Sequence, residues 1–157
     1  MPEPNSVVTT KIVRDDGEVQ TSATFRLGGD RGASARAVTD LLELAPTFAA
    51  EAGERVGRRS SAVRATALWS LTSPVGDEAE LSDHLTWLLD RLEPKTGELW
   101  QLADRGYSAD WFCAAASHAA EHAVELDRAL LVRLVALPGP LLIDVAGDDP
   151  ERDFSGE

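Results

Sequence analysis

The sequence predicts a single α+β domain: a mixed, mainly antiparallel sheet of four to five strands, with three or four helices largely on one face. Residues 67–72 mix apolar, aromatic and hydroxyl side chains without helical spacing and stop at Ser73-Pro74, which indicates a strand. Residues 81–92 carry leucines on one helical face, and such a face needs a sheet to cover it. A chain of 157 residues is long enough to bury one core. A ferredoxin-like topology is the arrangement we favour.

The N-terminal part predicts a β-hairpin. Residues 7–13 and 18–27 are rich in β-forming side chains, and they flank Asp15-Asp16-Gly17, a turn signal. In the second segment apolar and polar residues alternate, as in a strand with one buried face. Residues 1–6 are expected to be a flexible lead.

A glycine-rich turn, residues 28–32, leads into a helix predicted over residues 33–44 and ended by Pro46. Backbone amides bind phosphates at such a strand-to-helix turn. The spacing matches neither the dinucleotide nor the P-loop pattern, however, and Asp30 would repel an anion. A turn capped by Asp30 or Ser34 is the interpretation we favour.

Residues 47–64 form a less regular stretch with a local basic patch in an acidic chain. The candidate binding residues in this stretch are Arg55, Arg58, Arg59 and Arg64. Guanidinium groups bind carboxylates and phosphates bidentately, so the patch is a candidate anion or partner site. The alternative is a solvated loop whose arginines pair with nearby acids.

Trp69 is a further candidate binding residue, on the predicted strand 67–72. It would either line a ligand pocket or fill the core, and the core is the commoner place for such a ring. Asp77, Glu78 and Glu80 precede the helix at 81–92 and complement its positive end.

The C-terminal part predicts two more helices and two more strands. The predicted elements are a helix from Pro94 to Gly106, a strand over 107–116, a helix over 126–137, a strand over 141–145 and a flexible tail over 147–157.

Several short motifs of the chain occur in an order that is similar to a known family. They are Phe25-Arg26-Leu27, Leu41-Leu42-Glu43-Leu44 with Pro46-Thr47, Gly53-Glu54, Leu68-Trp69-Ser70-Leu71, His84-Leu85 through Leu92-Glu93-Pro94, and Leu142-Ile143-Asp144. Over residues 23–145 the chain thereby resembles the bacterial domain-of-unknown-function family 4279. The resemblance implies an α+β domain without an established chemistry, and for some members an immunity-like role beside toxin systems. It adds no catalytic residue.

The net charge of -12 disfavours nucleic-acid binding and would attract a basic protein, although it also serves solubility alone. The longest apolar run, residues 129–143, is interrupted by Arg133 and by Pro138-Gly139-Pro140, so we expect no membrane span. The chain start lacks the pattern of a signal peptide, which predicts a cytoplasmic location. The one cysteine, Cys113, excludes an internal disulfide and is expected to be a buried, inert thiol.

A His-x-x-Glu-His pattern spans His118 to His122. On a helix the two imidazoles would lie on one face and could share a zinc ion, with Glu125 as a third ligand and Glu121 as a base. The segment after His122 is much shorter than in inverted zinc proteases, so weak metal binding or an exposed helix start are the alternatives to catalysis.

These observations favour a non-catalytic binding module that acts through protein–protein contact, such as an immunity-type protein that neutralises a basic toxin, and we expect no cofactor. The alternative is a small-molecule or metal-binding protein, conceivably an enzyme, using residues 118–125. A third hypothesis is a homodimer that pairs an exposed strand edge.

Overall fold

The computed structural model describes residues 20–30, 32–117 and 123–147 of the chain. The strands are β1 (Gln20–Gly29), β2 (Phe48–Ala50), β3 (Ala67–Thr72), β4 (Ser108–Ala116) and β5 (Leu141–Ala146). The helices are α1 (Ala35–Leu42), α2 (Leu81–Leu92), α3 (Thr96–Asp104) and α4 (Arg128–Val135), with a 3₁₀ turn at Glu93–Lys95 before α3.

The five strands form one mixed sheet in the order β2-β3-β1-β4-β5. The first four are antiparallel to their neighbours, and their order is that of the ferredoxin-like βαββαβ arrangement. β5 then joins β4 in parallel after α4. The predicted α+β class, sheet type and ferredoxin-like order are therefore confirmed, with β5 as an addition at one edge.

The core lies between the inner face of the sheet and the helices. Ala23, Phe25 and Leu27 of β1 alternate with more exposed residues, as the predicted period of two requires. Phe25 packs against Trp111 of β4, with 4.8 Å between the ring centroids. The leucines of α2 are buried with them in one apolar cluster, so the helix that the leucine spacing predicted is the one that covers the sheet.

β3 and α2 have the bounds that the sequence predicted, and α2 begins with a capping box between Glu80 and Asp83. Pro94 lies in the 3₁₀ turn that leads into α3. Gly106, with a φ of 95°, follows the end of that helix as predicted.

One sequence prediction is wrong, and others concern residues outside the described ranges. β2 lies in the stretch that was predicted to be irregular, where three residues pair with β3. The first strand of the predicted hairpin, the flexible lead and residues 148–157 lie outside the described residues. β1 is paired with β3 on one side and β4 on the other from Thr24 to Gly28, so a hairpin partner has no open edge along that part of β1.

α4 is held against α2 by Arg133. Its guanidinium donates to Asp90 Oδ1 at 2.8 Å and pairs with Glu93, and these hydrogen bonds raise its pKa above the ordinary value. The opposite side of the helix is exposed, while Leu130 and Leu134 enter the core. Among the described residues, no helix is both long enough and apolar enough to cross a bilayer.

Candidate functional site

The arginine-rich stretch between β2 and β3 folds back on itself as a two-stranded arm, residues 53–64, called here the basic arm. Gly53 N donates to Arg64 O at 2.8 Å, and Arg64 N donates to Glu54 O at 2.7 Å. Val56 N donates to Ala62 O at 2.9 Å. These cross-links hold the backbone of the arm in a hairpin although its side chains are largely exposed.

The four candidate arginines of the basic arm have different surroundings. Arg64 is half-buried, and its guanidinium lies 5.1 Å from the centre of the Phe48 ring. Arg55, Arg58 and Arg59 are exposed, and none of these three forms an ion pair with another described residue. Arg64 therefore anchors the arm to β2, and the other three face solvent.

Trp69 is completely buried in the core, and its indole Nε1 donates to Thr39 Oγ1 of α1 at 3.0 Å. The ring therefore joins β3 to α1 and has no surface to offer a ligand. Of the two roles considered for Trp69, the structure places it in the core.

Glu125 is exposed, whereas His118, Glu121 and His122 lie outside the described residues. Within residues 20–30, 32–117 and 123–147, no three His, Cys, Asp or Glu side chains come together as a metal site would require. The metal hypothesis for residues 118–125 remains a prediction.

The start of α1 is already occupied by protein groups. The Ser34 side chain accepts from Ala37 N at 3.2 Å, which makes Ser34 the cap between the two candidates. The Glu51 carboxylate accepts from Arg36 N at 2.8 Å and from Ser34 Oγ at 3.2 Å. A phosphate at this helix start would have to displace a carboxylate, which agrees with the predicted capped turn.

Cys113 is buried on β4, as predicted, and burial raises the pKa of its thiol to about 12. The thiolate is therefore scarce at neutral pH, and the side chain acts as a small apolar group.

His84 is a buried polar residue whose role the sequence did not reveal. It lies on the inner face of α2, and its Nδ1 is 2.9 Å from Ser73 Oγ at the end of β3. Its Nε2 has no hydrogen-bond partner among the described residues. The sequence did contain a signal for the burial of His84, because this residue falls between Leu81 and Leu85 in the leucine pattern.

Burial lowers the pKa of His84 below its ordinary value of 6.5, because desolvation of the imidazolium outweighs the attraction of nearby Asp83. The unfolded chain therefore binds a proton at His84 more readily than the folded protein does. The contribution of neutral His84 to the free energy of unfolding is therefore complete above about pH 6.5. This contribution is lost as the pH falls from there toward the pKa of His84 in the folded protein.

We expect the wild-type protein to lose more stability than His84→Gln when the pH is lowered from 7.5 to 5, by about 1.4 kcal/mol for each unit of pKa depression. Urea unfolding at several pH values measures both free energies. All other titratable groups are common to the two proteins and cancel in the comparison. If the difference in free energy of unfolding between the wild-type protein and His84→Gln stayed constant over this pH range, the prediction would be wrong.

A family model described as "Domain of unknown function (DUF4279)" matches residues 19–148. The chain belongs to the DUF4279 family. The match covers all five strands of the sheet and both the basic arm and α4, so these features lie within the DUF4279 domain. No curated protein matches the chain significantly, and no solved structure does.

Proposed function

We propose that this DUF4279 protein is a non-catalytic binding module that acts through protein–protein contact. The observation that carries the proposal is the basic arm, whose fixed backbone presents guanidinium and apolar groups together. Val56 and Val63 are 43% and 60% exposed, and Arg58 and Arg59 lie between them at the tip. Arginine is enriched at protein interfaces, and apolar neighbours supply the area that a partner buries.

The net charge supports a basic partner, such as a toxin that an immunity-type protein neutralises, and we propose that the two meet in the cytoplasm. Long-range attraction follows the charge of -12 on the whole chain, which also opposes approach to nucleic acid. Short-range contact depends on local groups, and the arm would meet carboxylates and an apolar depression of the partner. A basic protein with such a local surface satisfies both requirements.

The test is affinity capture at low salt from cells of the source organism, followed by titration of the purified partner. We expect Arg58→Ala/Arg59→Ala to weaken binding at least about tenfold, since each guanidinium would lose charge-assisted hydrogen bonds. Val63→Asp should weaken it further, because it places a carboxylate in the apolar contact.

The matched control is Arg36→Ala/Arg105→Ala, which removes the same charge from two exposed arginines outside the arm. Its affinity should stay within about twofold of the wild-type value. Equal loss in both double variants would indicate a charge effect without contact by the arm, and recovery of no partner at low salt would count against the function itself.

A further inference from the structure

A second exposed surface lies at the opposite edge of the sheet from β2, and we call it the α4–β5 surface. It is formed by exposed side chains of the last helix and of the helix-covered face of the last strand, namely Arg128, Leu131, Val132, Val135, Ile143 and Val145. Val132 and Val135 are 69% and 79% exposed, and a shallow groove of about 270 Å³ runs along this side of α4. Exposed apolar side chains gathered in one patch are typical of an interaction surface.

The exposed side of α4 lies toward the edge of β5 that no other described strand covers. Leu131 and Val135 lie about 160° around the helix from Arg133, at 100° per residue. Arg133 reaches toward α2, so these two residues face away from α2. Trp111 Nε1 of β4 donates to Pro138 O, which follows α4 and precedes β5. Because α2 packs on β1 and β4 lies between β1 and β5, the side of α4 that faces away from α2 is the β5 side of the molecule.

β5 has few of the features that protect a strand edge from pairing. It is six residues long, contains neither proline nor lysine, and carries one charge, Asp144. Its register with β4 places Ile143 beside Cys113 on the helix-covered face and Leu142 beside Phe112 on the other face. β2, at the other edge, has only three residues. Of the two edges of the sheet, β5 is the one suited to accept another strand.

We propose that the α4–β5 surface is the interface of a two-fold homodimer, in which β5 of one protomer pairs antiparallel with β5 of its partner. Two residues that lie opposite each other in an antiparallel pair point to the same face of the sheet. The two-fold axis therefore passes between one residue of β5 and the same residue of the partner's β5. An axis at Ile143 places Leu141 opposite Val145, and Leu142 opposite Asp144. An axis at Asp144 would place two carboxylates opposite each other, which is unfavourable.

The same two-fold axis brings the two α4 helices together on the helix-covered side of a continuous ten-strand sheet. The exposed valines of each α4 then face the groove along the other. Such an isologous contact uses one patch twice and needs no second binding surface.

The sequence of β5 favours a second copy at this surface, because an antiparallel pair about Ile143 places apolar side chains opposite one another on the helix-covered face. The charge of -12 on each protomer opposes association at long range, so these short-range contacts hold the pair together. The homodimer is independent of the basic arm, so each proposal can fail without the other.

Sedimentation equilibrium over a wide range of concentrations tests the homodimer. We expect a species of twice the 16.9 kDa chain mass. Val132→Glu/Val135→Glu should raise the dissociation constant by about 30-fold or more, as loss of central interface contacts does. The matched control, Val56→Glu/Val63→Glu, introduces the same charge on the basic arm and should dissociate far less. A monomeric wild-type protein, or equal effects of the two double variants, would overturn the proposal.

Hydrogen exchange of the wild-type protein decides the question even if the α4 variant fails to fold. Backbone amides of β5 should become more protected as the protein concentration rises. Protection that is independent of concentration would mean that another segment of the same chain covers the edge, and a dimer with unprotected β5 amides would have a different interface. Either result overturns the proposal. Added salt should strengthen the dimer, because each protomer carries a charge of -12, whereas it should weaken binding of a basic partner.

Discussion

Replacement of Trp69 by alanine is expected to lower the free energy of unfolding by about 3–5 kcal/mol, the usual cost of removing a large aromatic ring from a core. The ring is completely buried between the sheet and the helices, and its neighbours are held in place by β3 and α1. The variant would also leave Thr39 without the indole donor. For a domain of this size, each kcal/mol lowers the melting temperature by about 2–4 °C.

The control for this variant is Trp100→Ala. Trp100 is 45% exposed on α3, and its indole donates to Ala136 O at 2.9 Å. Its removal should cost about 1 kcal/mol or less, because one partly solvated hydrogen bond is lost and no cavity forms. Denaturant unfolding of the three proteins measures the differences. Equal losses in Trp69→Ala and Trp100→Ala would contradict the assignment of Trp69 to the core.

Replacement of Gly139 by alanine is expected to cost about 2–4 kcal/mol, from a left-handed backbone and a steric clash. Gly139 has a φ of 105°, and a Cβ there would lie 2.7 Å from Ala109 O of β4. The turn cannot easily move away, because Pro138 O accepts from Trp111 Nε1 at 3.1 Å and Pro140 O accepts from Trp111 N at 2.9 Å. The variant should therefore weaken the pairing of β5 with β4.

Gly97→Ala is the matched control for the turn variant. A Cβ at Gly97 meets nothing within 4 Å, and the residue lies in α3, where alanine is the better helix former. We expect a stability equal to the wild-type value or higher by up to about 1 kcal/mol. Thermal and urea unfolding provide the comparison, and a Gly139→Ala protein as stable as wild type would show that the turn is not as constrained as the backbone contacts indicate.

The sequence predicted best where local pattern and tertiary environment agree. β3 and α2 have the predicted bounds because Ser73-Pro74 ends the strand and the leucine spacing of α2 matches the helical period. β2 was missed, because its three residues have no pattern of their own. The strand exists through hydrogen bonds to β3, including Thr47 N to Ser70 O at 2.8 Å.

The candidate binding residues were predicted less completely than the fold. Composition alone located the arginines, since a run of them is visible in an acidic chain. It did not separate Arg64, which lies over Phe48, from Arg58 and Arg59, which face solvent. The two aromatic residues Trp69 and Trp100 likewise differ in burial by position in the fold and not by residue type.

The α+β class, the main helix and strand segments and the acidity of the protein could be predicted without a structure, because periodicity, turn residues and charge are properties of the chain. The tertiary structure was needed to find the pairing of β2 with β3, the burial of His84, the shape of the basic arm and the exposure of the α4–β5 surface. These depend on contacts between residues far apart in the chain. A side chain on one face of a strand or helix is buried or exposed according to which element covers that face, and local sequence does not contain that information.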